Sequence, residues 1–138
     1  LSYMLYAREI NPRDLLSILQ YESSDVLRID YLSVIAIDRE ERQIWRRVLA
    51  SRRLYYSRIK WVYSYLTGQE PSVDQLPFNR PESYHAGVAE QKQADQQRQQ
   101  KLHALSNQAT DHVVVERLNE LLERQQYEKN LIQQINEQ

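Results

Sequence analysis

REERQIWRRVLASRRLYYSRIKWVYSYL, residues 39–66, runs without a Gly or Pro and closes on Leu66-Thr67-Gly68. Within it Ile44, Val48, Ser51, Tyr55, Arg58, Val62 and Tyr65 recur at alternating steps of four and three. That spacing places them on one face of an α-helix. The face is apolar towards both ends, so its middle is expected to be buried as well, yet the middle holds Ser51 and Arg58. The apolar stripes of other helical stretches are interrupted in the same way, at Glu22, at Asp95 and at the pair Gln125 and Glu128. Polar groups at matched depth on several helices imply a polar centre inside a helix bundle.

Bulk properties agree with a bundle. A chain of 138 residues is expected to form one domain, residues 1–138, with enough length to bury a core. Two Gly and four Pro suit long helices better than a sheet with many tight turns. Cysteine is absent, which excludes disulfides, thiolate metal sites and cysteine nucleophiles. The 18 basic residues nearly balance the 19 acidic ones, so the overall field draws in neither nucleic acid nor an anionic membrane. No apolar run approaches the roughly 18 residues of a membrane span. With no signal peptide in view, the expected location is the cytoplasm.

Punctuation sets the helix limits. Asn11 and Pro12 suit an N-cap and first turn, and Asp14 suits the positive end of the helix dipole. The first helix is read over about 12–36, with a buried stripe of Leu15, Leu19, Glu22, Val26, Ile29 and Ser33. Asp38 caps a second helix over about 38–67. Residues 68–83, GQEPSVDQLPFNRPES, hold three of the four prolines and form the one long loop, long enough to cross a bundle from end to end. A third helix over about 83–106 carries Tyr84, Val88, Gln91, Asp95, Arg98, Leu102 and Leu105. A fourth over about 112–136 carries Val114, Leu118, Leu121, Gln125, Glu128, Ile132 and Ile135. The glutamines of the third helix read as a solvated helical face.

Three local patterns then stand out: Leu19-x-x-Glu22 midway along helix one, Tyr65-Leu66-Thr67-Gly68 ending helix two, and Tyr84-x-x-Gly87-Val88 opening helix three. With them the chain resembles the ferritin-like superfamily, in particular small rubrerythrin-like proteins, over almost its whole length. The resemblance implies an all-α, ferritin-like four-helix bundle with a long crossover loop between helices 2 and 3. Such proteins hold two iron or manganese ions between a Glu from each of two helices and a Glu-x-x-His pair from each of the other two. Residues three apart share a helical face, so both reach one centre. Carried onto this chain, Glu22 keeps its place and Asp95 stands for a Glu. Gln125 and Glu128 stand for Glu and His, and the helix-two pair falls on Ser51 and Leu54, neither of them a ligand. Glu22, Asp95, Glu128 and Gln125 are therefore the relic metal positions, and no cofactor is expected; if one is bound it is Fe or Mn. Arg58 and Arg98, one turn away, are expected to neutralise the remaining carboxylates, because a buried charge must be paired.

These observations lead to a non-catalytic, structural or protein-interaction role. Ten tyrosines and the aromatic rows of helix two suit a homodimer surface or an unidentified protein partner. Two alternatives stand beside it. One is an atypical Fe- or Mn-binding ferritin-like oxidase or storage protein. The other is a nucleic-acid-binding module built on helix two, where Arg39, Arg42, Arg46, Arg47, Arg52, Arg53, Arg58 and Lys60 are interleaved with Trp45, Tyr55, Tyr56, Trp61 and Tyr63. A solvated basic face is the simpler reading of that helix. His85, His103 and His112 are too scattered to form a metal site.

Overall fold

A computed structural model describes residues 9–135 of the chain. These form five α-helices, with no strand among the described residues: α1 (Pro12–Leu19), α2 (Glu22–Ile35), α3 (Arg39–Thr67), α4 (Tyr84–Gln108) and α5 (His112–Ile132). Side chains that accept from free backbone N–H groups start four of them. Asn11 accepts from Arg13, Asp38 from Glu40, Ser83 from Ala86, and Asp111 from Val113 and Val114. Gly68 ends α3 at φ 71°, the left-handed cap that glycine adopts without a Cβ clash.

The apolar pattern reads one helix over 12–36, but the structure breaks it at Gln20 and Tyr21. There the Tyr21 N–H turns back to the Ile18 carbonyl at 3.1 Å. The break frees backbone groups that must find partners elsewhere. The segment between α3 and α4 supplies them. Gln75 Nε2 donates to the Leu19 carbonyl at 2.8 Å, and its Oε1 accepts from the Ser23 N–H at 2.8 Å. Leu76 N–H donates to the Gln20 carbonyl at 3.0 Å. At the other end of the chain α5 stops at Ile132, followed by a turn. Residue 136, the expected helix limit, lies outside the described residues.

Two apolar cores fill the bundle. One gathers Leu15, Ile18 and Leu19 with Tyr55, Tyr56, Ile59, Val62, Leu102, Leu105, Leu118 and Leu121. The other gathers Ile29, Leu32 and Ala36 with Ile44, Trp45, Val48, Val88, Leu131 and Ile132. In the second, α4 comes so near its neighbours that a Cβ on Gly87 would stand 2.7 Å from Leu32 Cδ2 and 2.9 Å from Pro81 Cγ. Along α2, α3, α4 and α5 the residues between the two cores are polar, and they form the layer described next. No helix among the described residues is long and apolar enough to cross a membrane.

Candidate functional site

The centre of the polar layer is Arg52, whose side chain is fully buried. Its guanidinium reaches three other helices. Nη1 donates to Asp25 Oδ2 of α2 at 2.7 Å, and Nε donates to Glu128 Oε1 of α5 at 3.1 Å. Nη2 lies 3.2 Å from Asp95 Oδ1 of α4 and 3.0 Å from Glu128 Oε1. Arg98, from α4, is a second buried guanidinium. It holds Asp95 at 2.9 Å and lies 3.6 Å from Asp25 and 3.7 Å from Glu128.

Neutral donors complete the layer. Tyr56 donates its hydroxyl to Asp25 Oδ2 at 2.6 Å. Gln91 Nε2 donates to both Asp25 and Asp95 at 2.8 Å, while Arg28 Nε donates to Gln91 Oε1 at 2.7 Å. Gln125 Nε2 reaches the Tyr55 hydroxyl at 3.4 Å, and the Arg98 guanidinium lies over the Tyr55 ring, 5.1 Å from its centroid. Three carboxylates thus face two buried guanidiniums, with Arg28 as a third at the edge, 3.6 Å from Asp25. The charges balance, which is what permits them to lie between two apolar cores.

The layer shifts its own titrations. Burial pushes the Asp25 carboxyl up, but Arg52, Arg98 and the hydrogen bonds from Tyr56 and Gln91 outweigh it and hold the group well below the usual carboxylate range. Burial opposes the charge on Arg52, and the three carboxylates overcome it, so the guanidinium holds its proton even more tightly than usual. Burial pushes the Tyr55 hydroxyl up to about 12. Tyr56 is raised too, by burial and then by the neighbouring Asp25 carboxylate.

Of the residues expected at this centre, Asp95, Gln125, Glu128 and Arg98 are there and Glu22 is not. Glu22 lies on a partly exposed edge of α2, with 28% of its side chain accessible, paired to Lys60 Nζ at 2.9 Å. Asp25, one turn further on, takes the inward place. Arg58 also lies outside, 3.6 Å from Glu120 on the flank of α5, and Arg52 does the neutralising instead. Ser51 is buried but accepts from Arg124 at 3.2 Å, away from the carboxylates, and Leu54 is exposed. On α3 the buried face is wider than the stripe read: Ile44, Val48, Ser51, Tyr55 and Val62 are buried as expected, and Trp45, Leu49, Arg52, Tyr56 and Ile59 are buried beside them. On the first stretch Leu15, Leu19, Ile29 and Ser33 stay inside while Asp25 takes the place of Glu22. The stripes of α4 and α5 keep the phase read from the sequence. A signal for α3 was present: Trp45, Leu49, Arg52, Tyr56 and Ile59 also alternate by four and three, and this set places both Trp45 and Ile59 inside.

The residues present do not fit a pair of metal ions. Each carboxylate of the layer already contacts a guanidinium, and the two spaced pairs are Arg52-x-x-Tyr55 and Gln125-x-x-Glu128, without a histidine. His85, His103 and His112 are exposed. No group of three or more His, Asp or Glu among the described residues is placed to hold a metal ion. Sought among known proteins, the chain finds no matching family model, no matching curated protein and no matching solved structure.

Proposed function

We propose that this protein is a non-catalytic bundle of ferritin-like architecture in which a guanidinium stands where such bundles hold metal, and that its role is structural or one of protein interaction. The observation that carries this reading is Arg52, buried and in contact with Asp25, Asp95 and Glu128 from three other helices. A single residue from α2 and from α4, with a three-spaced pair from α3 and from α5, is the ligand layout of a di-metal bundle. Here the chemistry of the pairs has changed and a fixed cation neutralises the acids.

The topology gives further support. Val88 near the start of α4 shares a core with Ile44 and Trp45 near the start of α3, and Tyr84 donates to Glu41 at 2.6 Å and accepts from Trp45 at 2.9 Å. Leu102 and Leu105 share the other core with Ile59 and Val62. On this reading α3 and α4 run the same way, and residues 68–83 are a crossover. Every carboxylate of the layer already faces a guanidinium, which favours a binding role over catalysis.

The test is metal content and metal-dependent stability. The purified full chain is expected to carry far less than one Fe or Mn per molecule, and added Fe(II) or Mn(II) is expected to leave its melting temperature unchanged. The variant Arg52→Glu with Tyr55→His and Glu128→His should gain stability as metal is added, because a ligand that binds only the folded state stabilises it. Stoichiometric metal on the unaltered chain, or a metal-dependent rise in its melting temperature, would refute the reading.

A further inference from the structure

We infer that the outer face shared by α2 and α3 docks an acidic, amphipathic helical segment of a partner protein. Arg39, Arg46 and Arg53 stand seven residues apart on α3, and all are exposed. At about 100° per residue they fall, with the exposed Ala50, within about 60° of one another, and successive arginines rise about 10.5 Å along the axis. Arg42 donates to the carbonyls of Ala36 and Ile37, and Lys60 pairs with Glu22, so the row borders α2. Among the described residues no hydrogen bond or ion pair engages Arg39, Arg46 or Arg53.

The neighbouring face of α2 is unusually apolar for a surface. Val34 is 69% exposed and Ile37, in the link to α3, is 93% exposed; Leu27 lies one turn before Asp30, and the other acids of this face are Glu22, paired to Lys60, and Asp38, which caps α3. A row of unpaired cations beside exposed aliphatic side chains calls for a partner with the complementary halves. An amphipathic helix supplies both: an apolar stripe for Leu27 and Val34, and carboxylates at seven-residue spacing for the arginines.

Nucleic acid fits less well. It would leave the aliphatic side chains uncovered, and a single-stranded form would need free aromatic faces. Trp61, the exposed tryptophan of α3, is already engaged, stacked on Tyr65 at 5.3 Å with Arg117 against its ring at 5.0 Å. The chain's net charge of −1 also gives a polyanion no long-range attraction.

This inference rests on the interaction role proposed above, but its test is separate, since metal content reports on the core and peptide binding on the surface. The probe is a fluorescein-labelled peptide of about 21 residues, six helical turns. It carries Leu along one stripe and Glu at seven-residue spacing beside it, and a control peptide has Lys in place of each Glu. Titrated against the full chain, the acidic peptide should give a saturable rise in anisotropy in the micromolar range, and the lysine peptide none. Arg46→Glu with Arg53→Glu should weaken binding at least tenfold, as should Val34→Asp. All three positions are exposed, and unchanged circular dichroism shows that the variants fold. The inference is overturned if both peptides bind alike, or if the arginine variant binds as well as the parent. It is also overturned if a 20-base-pair duplex or phosphatidylserine vesicles bind more tightly than the acidic peptide. Sedimentation showing that the chain self-associates, and that the arginine variant does not, would assign the face to a second copy and equally overturn it.

Discussion

Replacing Arg52 by Met removes one cation and leaves the acids. In the parent, its guanidinium lies within 3.2 Å of Asp25, Asp95 and Glu128. Arg98 cannot replace it, because Arg98 is already 2.9 Å from Asp95 and stands 3.6 Å or more from the other two. Breaking a buried ion pair by removing one partner costs about 3–5 kcal/mol, since the other charge is left unpaired. In a domain with a total stability of about 5–15 kcal/mol, that is a large share. At about 3–4 °C per kcal/mol, the melting temperature should fall by roughly 10–20 °C. Adding Asp25→Asn and Glu128→Gln should recover much of the loss, because the acids left unpaired are then neutral. Urea melts at several pH values provide a second signature. In the parent, the Asp25 carboxyl is held below its unfolded value of about 3.9. Its contribution is therefore complete above that value and is lost as pH falls towards the folded one. In Arg52→Met, Asp25 stays buried and loses the nearest of its cations, so its carboxyl value rises towards the unfolded one and the loss of stability on acidification should be shallower than in the parent. A cost below about 1 kcal/mol, the level of exposed pairs, or a pH dependence like that of the parent, would refute the claim that Arg52 organises the core.

Glu22→Ala should cost no more than about 1 kcal/mol in a denaturant melt, since the Glu22–Lys60 pair is partly exposed; a loss of several kcal/mol would return Glu22 to the interior. Gly87→Ala should destabilise by about 1–3 kcal/mol despite the better helix propensity of alanine, because the new methyl meets Leu32 and the rigid ring of Pro81; an unchanged or raised melting temperature would show that α2 and α4 can move apart. At alkaline pH the stability should fall from about pH 10 towards 12, by roughly 3 kcal/mol from Tyr55 alone, because the unfolded chain releases a phenolic proton that the folded chain retains. Tyr55→Phe should flatten that slope, and a melt that gives the same slope for both proteins would contradict it.

The helices and their caps were legible because they depend on local chemistry. Asp38, Ser83, Gly68 and the apolar repeats each act within a few residues of where they are read. The phases of α4 and α5 were legible as well: on α4 few apolar residues compete for the inward positions, and on α5 Val114, Leu118, Leu121 and Ile132 keep one stripe along the whole helix. On α3 two stripes compete, and a preference for less polar interiors chooses Ser51 over Arg52. Ser51 is indeed buried, but Arg52 is buried beside it and holds the polar centre, made acceptable only by acids on three other helices, a fact that no single helix carries. Asp25 was hidden in the same way: next to Val26 it looks like the outward member of the pair until Arg52 and Tyr56 are brought against it. The break at Gln20 was hidden for a related reason, since the groups that stabilise it arrive from Gln75 and Leu76.

That last contact decides where the chain can be reopened. Residues 75 and 76 act as a splint across the α1–α2 joint, so the stretch from 68 to 83 is two pieces with different tolerances. A circular permutant with new termini near Gln69 or Glu70, both exposed and ahead of the splint, keeps the joint closed. The same cut between Gln75 and Leu76 separates the two halves of the splint and leaves the carbonyls of Leu19 and Gln20 dependent on a loose end.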